Sequence, residues 1–247
     1  MNDRTAAVVV IGNEVLAGLV DESNATFLVR ELRGLGVRLK RVVVIPDEID
    51  VIAEIVADLS RRFDFVVSTG GIGPTHDDVT MRGVAQAFGR PLVRHEAYAR
   101  SLERAYGEKI SPRVLSMADL PEGSTLIGTE VLRVPAVQVE NVLIFPGIPR
   151  LLQDKFNAIK ECFRCSPFLM HRVVLEIEES RIADHVESVQ LRHPRVSIGS
   201  YPRFAKTIWE VTLQLESKEI EKLDAALEDL LSGLPQDNIT RVERSAP

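Results

Sequence analysis

The chain predicts an α/β fold: a mostly parallel sheet flanked by helices over residues 1–165, then a small α+β module of order βαββα over residues 166–247. Three observations carry that expectation. A β-loop-α unit recurs three times between Ala6 and Phe88, and right-handed crossovers between such units build a parallel sheet with helices on both faces. The turn after the third strand is glycine-rich and opens a helix, the form of a ligand loop at a strand's C-terminal end. After Ser166-Pro167 the apolar pattern changes to shorter, alternating runs.

Ala6 to Ile11 reads as a buried strand, and Asn24 to Leu35 as a helix with Phe27, Leu28, Leu32 and Leu35 on one face and Gly36 at its end. Between them, Gly12 and Glu14 lie just past the strand end, where open α/β sheets place ligands; for Glu14 a solvated carboxylate is the alternative. Asp21 and Asn24 are placed as helix caps that could also touch a ligand. The second unit runs from Arg41 to Ile45 into a helix carrying Ile49, Ile52, Ile55, Val56 and Leu59. Asp47 stands at its N-cap with Asp50 three residues on, a capping-box-like spacing, and the same position puts Asp47 on the ligand edge. The third strand, Phe63 to Val67, leads to a helix from Thr80 that turns Met81, Val84, Ala85 and Phe88 inward.

A helix from Glu96 to Tyr106 follows, with Tyr98, Leu102, Ala105 and Tyr106 spaced as a core face. Val131 to Val139 and Val142 to Phe145 read as a hairpin turning at Glu140-Asn141. Pro146-Gly147-Ile148-Pro149 then makes a stiff turn into a helix, either a second wall of a pocket or a plain connection. In the second module, His171 to Ile177, Val196 to Ser200 and Ile208 to Leu215 read as strands, and Ile182 to Arg192 and Ile220 to Leu231 as helices. Trp209 is core or interface by its alternation, and the polar tail from Gln236 is expected to fray.

The stretch Thr69-Gly70-Gly71-Ile72-Gly73-Pro74-Thr75-His76-Asp77-Asp78-Val79-Thr80 is the strongest site signal. Glycines permit positive φ and close backbone approach, so N–H groups of the turn and helix start can meet a phosphate. Two carboxylates at the same spot repel an anion unless a cation stands between them, so the pairing predicts phosphate together with a divalent metal. Capping accounts for one aspartate and a tight turn for one glycine, fewer than the stretch contains. His76 is placed as a solvated loop histidine that could donate to a phosphate.

Composition excludes several classes. With 30 Lys and Arg against 36 Asp and Glu, a formal charge of −6, the chain lacks the basic surface of a nucleic-acid binder. Gly199 and Gly233 are the only glycines of the second module, so the paired-glycine clamp of a KH module is absent as well. No run approaches the ~20 apolar residues of a membrane span, and the N-terminus reads as cytoplasmic, without a signal peptide. Cys162 and Cys165 form a single Cys-x-x-Cys near a helix end, too few ligands for zinc, and read as inert reduced thiols.

Gly12-x-Glu14-x-Leu16-x-Gly18, Asn24, Asp47, the stretch Thr69 to Thr80 and Pro146-Gly147-x-Pro149 together resemble the N-terminal domain of CinA, the competence/damage-inducible protein family, within the wider MoaB/MogA molybdopterin-binding fold. The match covers about residues 6–163, and the module from about 168 to 234 is similar to the second domain of CinA. The nicotinamide-nucleotide deamidase domain of many CinA proteins is not found here, and its activity is not carried over. The resemblance implies a homo-oligomer and a metal-dependent pyrophosphatase acting on ADP-ribose, or on FAD as in the related domain of FAD synthases. MoaB and MogA instead bind molybdopterin. Where those proteins commonly carry Arg-Asp after the glycine loop, this chain has Asp77-Asp78, an anion in place of a cation, which suits a metal-bridged diphosphate better than a pterin phosphate.

The expected enzyme holds Mg, Mn or Co on Asp78, Asp77 and Glu14. It binds a small-molecule nucleotide through Gly12, Glu14, Asn24, Thr69, Gly70, Gly71, Gly73, Pro74, Thr75, Pro146 and Gly147, and works through Asp47, Asp77 and Asp78, with Asp47 orienting or deprotonating water. The alternatives are a molybdopterin-binding protein and a non-catalytic nucleotide-binding or assembly module.

Overall fold

A computed structural model describes residues 3–107, 110–205 and 208–244. The chain divides into two compact units, Met1–Cys165 and Ser166–Pro247. In the first, β1 (Thr5–Ile11), α1 (Asn13–Leu16), α2 (Asn24–Gly34), β2 (Arg38–Ile45), α3 (Ile49–Arg62), β3 (Phe65–Thr69) and α4 (Thr80–Ala87) form the repeated units. There follow β4 (Leu92–Arg94), α5 (Glu96–Tyr106), α6 (Pro112–Leu115), β5 (Asp119–Pro121), β6 (Thr125–Ile127), β7 (Ala136–Val139), β8 (Val142–Phe145) and α7 (Pro149–Ile159). The main sheet has the order β2-β1-β3-β8-β7-β6; β2, β1, β3 and β8 run parallel, and β7 and β6 close one edge antiparallel. The α/β expectation is met.

β1 shows why the sequence makes this sheet. Its run from Ala6 to Ile11 is apolar because both faces are covered: Ala7, Val9 and Ile11 pack into one core with α3, α4 and α5, and Ala6, Val8 and Val10 into another with α2 and α7. The second core closes on Phe156, fully buried, whose ring lies 5.7, 6.1 and 5.3 Å from those of Phe27, Phe145 and Phe163. Phe156→Ala is expected to cost about 3–5 kcal/mol, read as an earlier urea midpoint for this unit.

In the second unit, β9 (Leu169–Leu175), α8 (Ala183–Arg192), β10 (Ser197–Ala205), β11 (Ile208–Ser217), α9 (Ile220–Gly233) and β12 (Ile239–Arg244) build an antiparallel sheet of order β10-β11-β9-β12. Val173, Leu175, Val211, Leu213 and Leu215 of the strands meet Val189 of α8 and Leu223, Ala226, Leu227 and Leu230 of α9. The unit is thus βαββαβ, and the tail expected to fray is an edge strand through Arg244; residues 245–247 lie outside the described residues. Its sequence hides this because an edge strand with most side chains in solvent needs few apolar residues. Trp209 is 45% exposed and stands edge-to-face on Phe204, so it is not core.

Other differences are local. The strand expected from Val131 begins only at Ala136, after Pro135, which has no N–H for a ladder. Tyr106, at the end of α5, is 57% exposed while Tyr98 and Leu102 are buried. Cys162 and Cys165 are both free thiols. No helix among the described residues is long and apolar enough to cross a membrane.

Candidate functional site

The loops after β1, β2, β3 and β8 meet at the C-terminal edge of the parallel strands, and three backbone features hold them together. Gly70, at φ +103°, donates its N–H to the Phe145 carbonyl at 3.2 Å, and a Cβ there would overlap the Ile11 carbonyl oxygen. Only a glycine lets the third loop lie against the ends of β1 and β8. Thr80, at the first position of α4, returns its hydroxyl to the Gly70 carbonyl at 2.8 Å and its N–H to the Gly71 carbonyl at 3.0 Å. At Gly147, a Cβ would stand 3.3 Å from the Gly70 Cα, so the fourth loop lies close against the third.

Asp47 is not the cap of α3. That position belongs to Glu48, whose side chain makes no cap bond, and Asp47 reaches across to accept the Asn13 N–H at 2.7 Å, tying the second loop to the first. Gly71 lies beside it: a Cβ on Gly71, at φ +61°, would be 3.3 Å from Asp47 Oδ1. Asp50, expected to complete a capping box, accepts from Gln86 instead, at 2.8 Å. The Asp47 carboxyl is pushed above its ordinary value, first by burial, against the Asn13 N–H that lowers it, and further by the like charges of Glu14, Asp77 and Asp78. Four carboxylates therefore share one field.

Asp78 and Asp77 differ in role. Asp78 folds back into its own loop, accepting from the Gly73 N–H at 2.6 Å, the Thr75 N–H at 2.8 Å and the Thr75 hydroxyl. It caps no helix, since α4 begins after Val79 without a side-chain cap. Asp77 is exposed; the Thr75 hydroxyl, its own N–H and His76 hold its carboxyl below the ordinary value. Thr75 has one hydroxyl proton for two carboxylates, and the closer contact goes to Asp78. Asp78→Ala is expected to raise hydrogen exchange at the Gly73 and Thr75 amides about ten-fold, the scale of one charge-assisted bond, with Asp77→Ala leaving them unchanged. Among the described residues, the amides of Gly71 and Ile72 donate to no protein acceptor, which leaves them for a ligand.

Asn24 is likewise not a cap. Glu22 takes the Ala25 N–H at 2.9 Å, and the Asn24 side chain turns inward to Thr69 and Gly147. Thr69 in turn donates to the Pro146 carbonyl at 2.9 Å. The structure so gathers Gly12, Glu14, Asn24, Asp47, Thr69, Gly70, Gly71, Gly73, Thr75, Asp77, Asp78, Pro146 and Gly147 around one sheet edge, with Pro74 and His76 exposed on the third loop. Thr80 closes the stretch read as a site from the sequence but was given no role there, and Glu22 was not singled out; a threonine opening a helix directly after a glycine loop is the signal for the first. Among the described residues no three His, Cys, Asp or Glu side chains are gathered closely enough to coordinate a metal in this conformation.

Residues 7–171 match the family model of the probable molybdopterin binding domain, and residues 167–243 that of the FAD synthase middle domain. A protein of Archaeoglobus fulgidus is 36% identical over 198 residues, 79% of this chain and 85% of that one. The probable FAD synthase of Caenorhabditis briggsae is 31% identical over 264 residues, 93% of this chain but 50% of its own length, so the chain spans half of that relative. The crystal structure of CinA from Thermoplasma acidophilum, of unknown function, superposes with a TM-score of 0.60 at 30% identity, over 66% of this chain and 100% of that one. With a family model covering its first unit and a CinA structure matched over its full length, the chain belongs to the molybdopterin-binding domain family, as a CinA-type member.

Proposed function

We propose that the chain binds a nucleotide through its diphosphate and, with a divalent cation, hydrolyses that phosphoanhydride, with ADP-ribose or FAD as the substrate class. The observation that carries this reading is the approach of Glu14, Asp77 and Asp78 to Asp47 at one sheet edge, beside glycine-loop amides left without acceptors. Carboxylates in such numbers beside an anion cradle fit a hard cation. Mg is usually held by one or two carboxylates plus the substrate's phosphates rather than by a protein cage, so a three-residue cage is not required. Asp77 or Glu14 would hold the ion, which would neutralise phosphate charge and stabilise the leaving oxygen.

The chain's own groups do the rest. The Gly71 and Ile72 amides bind phosphate oxygens. Asn13 fixes the Asp47 carboxylate through its N–H, and the free Asp47 oxygen takes a proton from the attacking water. The name of one relative, a probable FAD synthase, agrees with a nucleotide ligand. The family model's own ligand gives the second reading, a pterin site.

The test is product release from ADP-ribose, FAD and NAD with Mg, Mn or Co, and with chelator. AMP release that needs the metal is expected. No release with every metal, together with metal-independent molybdopterin binding, selects the second reading. The self-association implied by the family belongs to the same proposal and is read by sedimentation of the purified chain.

A further inference from the structure

The second unit keeps both of its long helices on one face of its sheet. Val173 and Leu175 of β9 and Val211, Leu213 and Leu215 of β11 turn toward α8 and α9, and the alternation of a strand sends their neighbours to the other side. Register fixes what that side carries. Thr212 stands between Tyr201 of β10 and Val174 of β9, Gln214 between Gly199 and Arg172, and Arg241 and Glu243 of β12 lie beside Val174 and Arg172. Arg172, Val174, Tyr201, Arg203, Thr212 and Arg241 are among the residues lining an open cavity of about 410 Å³ on this face, a size within the range of small-molecule sites.

The charge of the cavity runs against that of the chain. The sequence has a formal charge of −6, yet three guanidiniums line the cavity, and among the described residues Glu210 and Glu243 are their ion-pair partners. Arg203 is closely held, its Nε and Nη2 meeting Glu210 Oε1 at 2.6 and 2.5 Å. Glu243 is shared, 3.1 Å from Arg241 and 3.6 Å from Arg172. The longer contact lies beyond a hydrogen bond, so an anion seated between Arg172 and Arg241 gains donors that Glu243 does not use. A guanidinium presents its donors in a plane that suits a phosphate.

Tyr201 supplies the other half. It is 57% exposed, and its ring folds back along β10 over Gly199, where a Cβ would stand 2.8 Å from the hydroxyl oxygen and 3.0 Å from the ring. Any larger residue at 199 would push the ring off the strand. Sheets that hold a nucleic-acid base do so on such a ring. Tyr201 and Arg172 stand two strands and two residues apart, about 12 Å at their Cα atoms, which a nucleoside monophosphate spans with the two side chains leaning in. We propose that this open face is a second ligand site, taking a mononucleotide with its base on Tyr201 and its phosphate between Arg172 and Arg241. A longer strand is disfavoured, because its further phosphates would meet Glu210 and Glu243.

NMR of the ¹⁵N-labelled full chain, titrated separately with AMP, inorganic phosphate and oligouridine, tests this. AMP is expected to shift the amides from Arg172 to Val174 and from Thr212 to Gln214. Tyr201→Ala is expected to weaken AMP there about ten-fold, the scale of base stacking on an aromatic ring, and to leave inorganic phosphate unchanged; Arg172→Gln is expected to weaken both. No shift in the second unit at millimolar AMP overturns the proposal. So does AMP binding that Tyr201→Ala leaves unchanged, which makes the face an anion site only, and so does oligouridine binding more tightly than AMP, which makes it a single-strand platform. The wild-type titrations decide the matter should a variant not fold. The proposal does not rest on the diphosphate reading: AMP held by the glycine loop shifts the Gly71 and Ile72 amides instead, and a chain that releases no AMP from any dinucleotide still shows the shifts in β9 and β11.

Discussion

Asp47→Asn is expected to lower turnover of the diphosphate substrate by about 10²–10⁴-fold, the usual worth of a general base, without lowering the melting temperature. Asparagine keeps the shape and can still accept the Asn13 N–H that Asp47 accepts at 2.7 Å, so the tie between the first and second loops survives. The proton acceptor does not. The stability half follows from the direction of the shift. Asp47's carboxyl lies above its ordinary value in the fold, so its contribution to stability is present at acid pH, below the unfolded value, and is lost as pH rises through the folded one. At neutral pH the charge is a burden that asparagine removes. Activity runs the other way, falling as pH drops through the raised Asp47 value. Glu14→Gln, which takes away one of the like charges that raise it, should move that acid limb to lower pH. A pH–rate profile and calorimetry of both variants measure this; an unmoved limb would remove Asp47 from the proton transfer.

Asp47 also shows where sequence reading runs out. Its place on the ligand edge was legible, because an apolar strand followed by a helical pattern puts the residue between them at the strand's C-terminal end. Its partner was not. A carboxylate two residues before a helix has a cap N–H and a neighbouring loop's N–H within similar reach, and only the packing of β1 beside β2, which brings Asn13 to Asp47, decides between them. Asn24 repeats the lesson: polar residues at helix starts read as caps, while burial against Thr69 and Gly147 depends on contacts 45 and 123 residues away. The sheet was legible for the opposite reason. A strand covered on both faces tends to be apolar wherever it is buried, and β1 is so from Ala6 to Ile11. β12, covered by little, left no such trace.

Gly70→Ala is expected to be the most damaging single-atom addition in the first unit. Two costs add. Gly70 sits at φ +103°, a conformation that strains an L side chain by about 1–3 kcal/mol. The new Cβ would also fall on the Ile11 carbonyl oxygen, which is backbone of β1, paired on both sides, and cannot swing aside. Nor can the loop retreat, because the Gly70 N–H is held by Phe145, its carbonyl by Thr80, and its Cα lies against Gly147. A total of about 3–5 kcal/mol would lower the melting temperature on the order of 10 °C, and displacing the loop by about 1 Å would cost near 10² in turnover. Gly18→Ala supplies the control: its φ is +68° but nothing lies within 4 Å of the added carbon, so only the conformational cost of about 1–2 kcal/mol applies. Thermal unfolding of the two variants separates strain from collision. Equal losses would mean that the close approach of the third loop to β1 is not what holds the site in place, and the convergence of Asp47, Asp77 and Asp78 would need another cause.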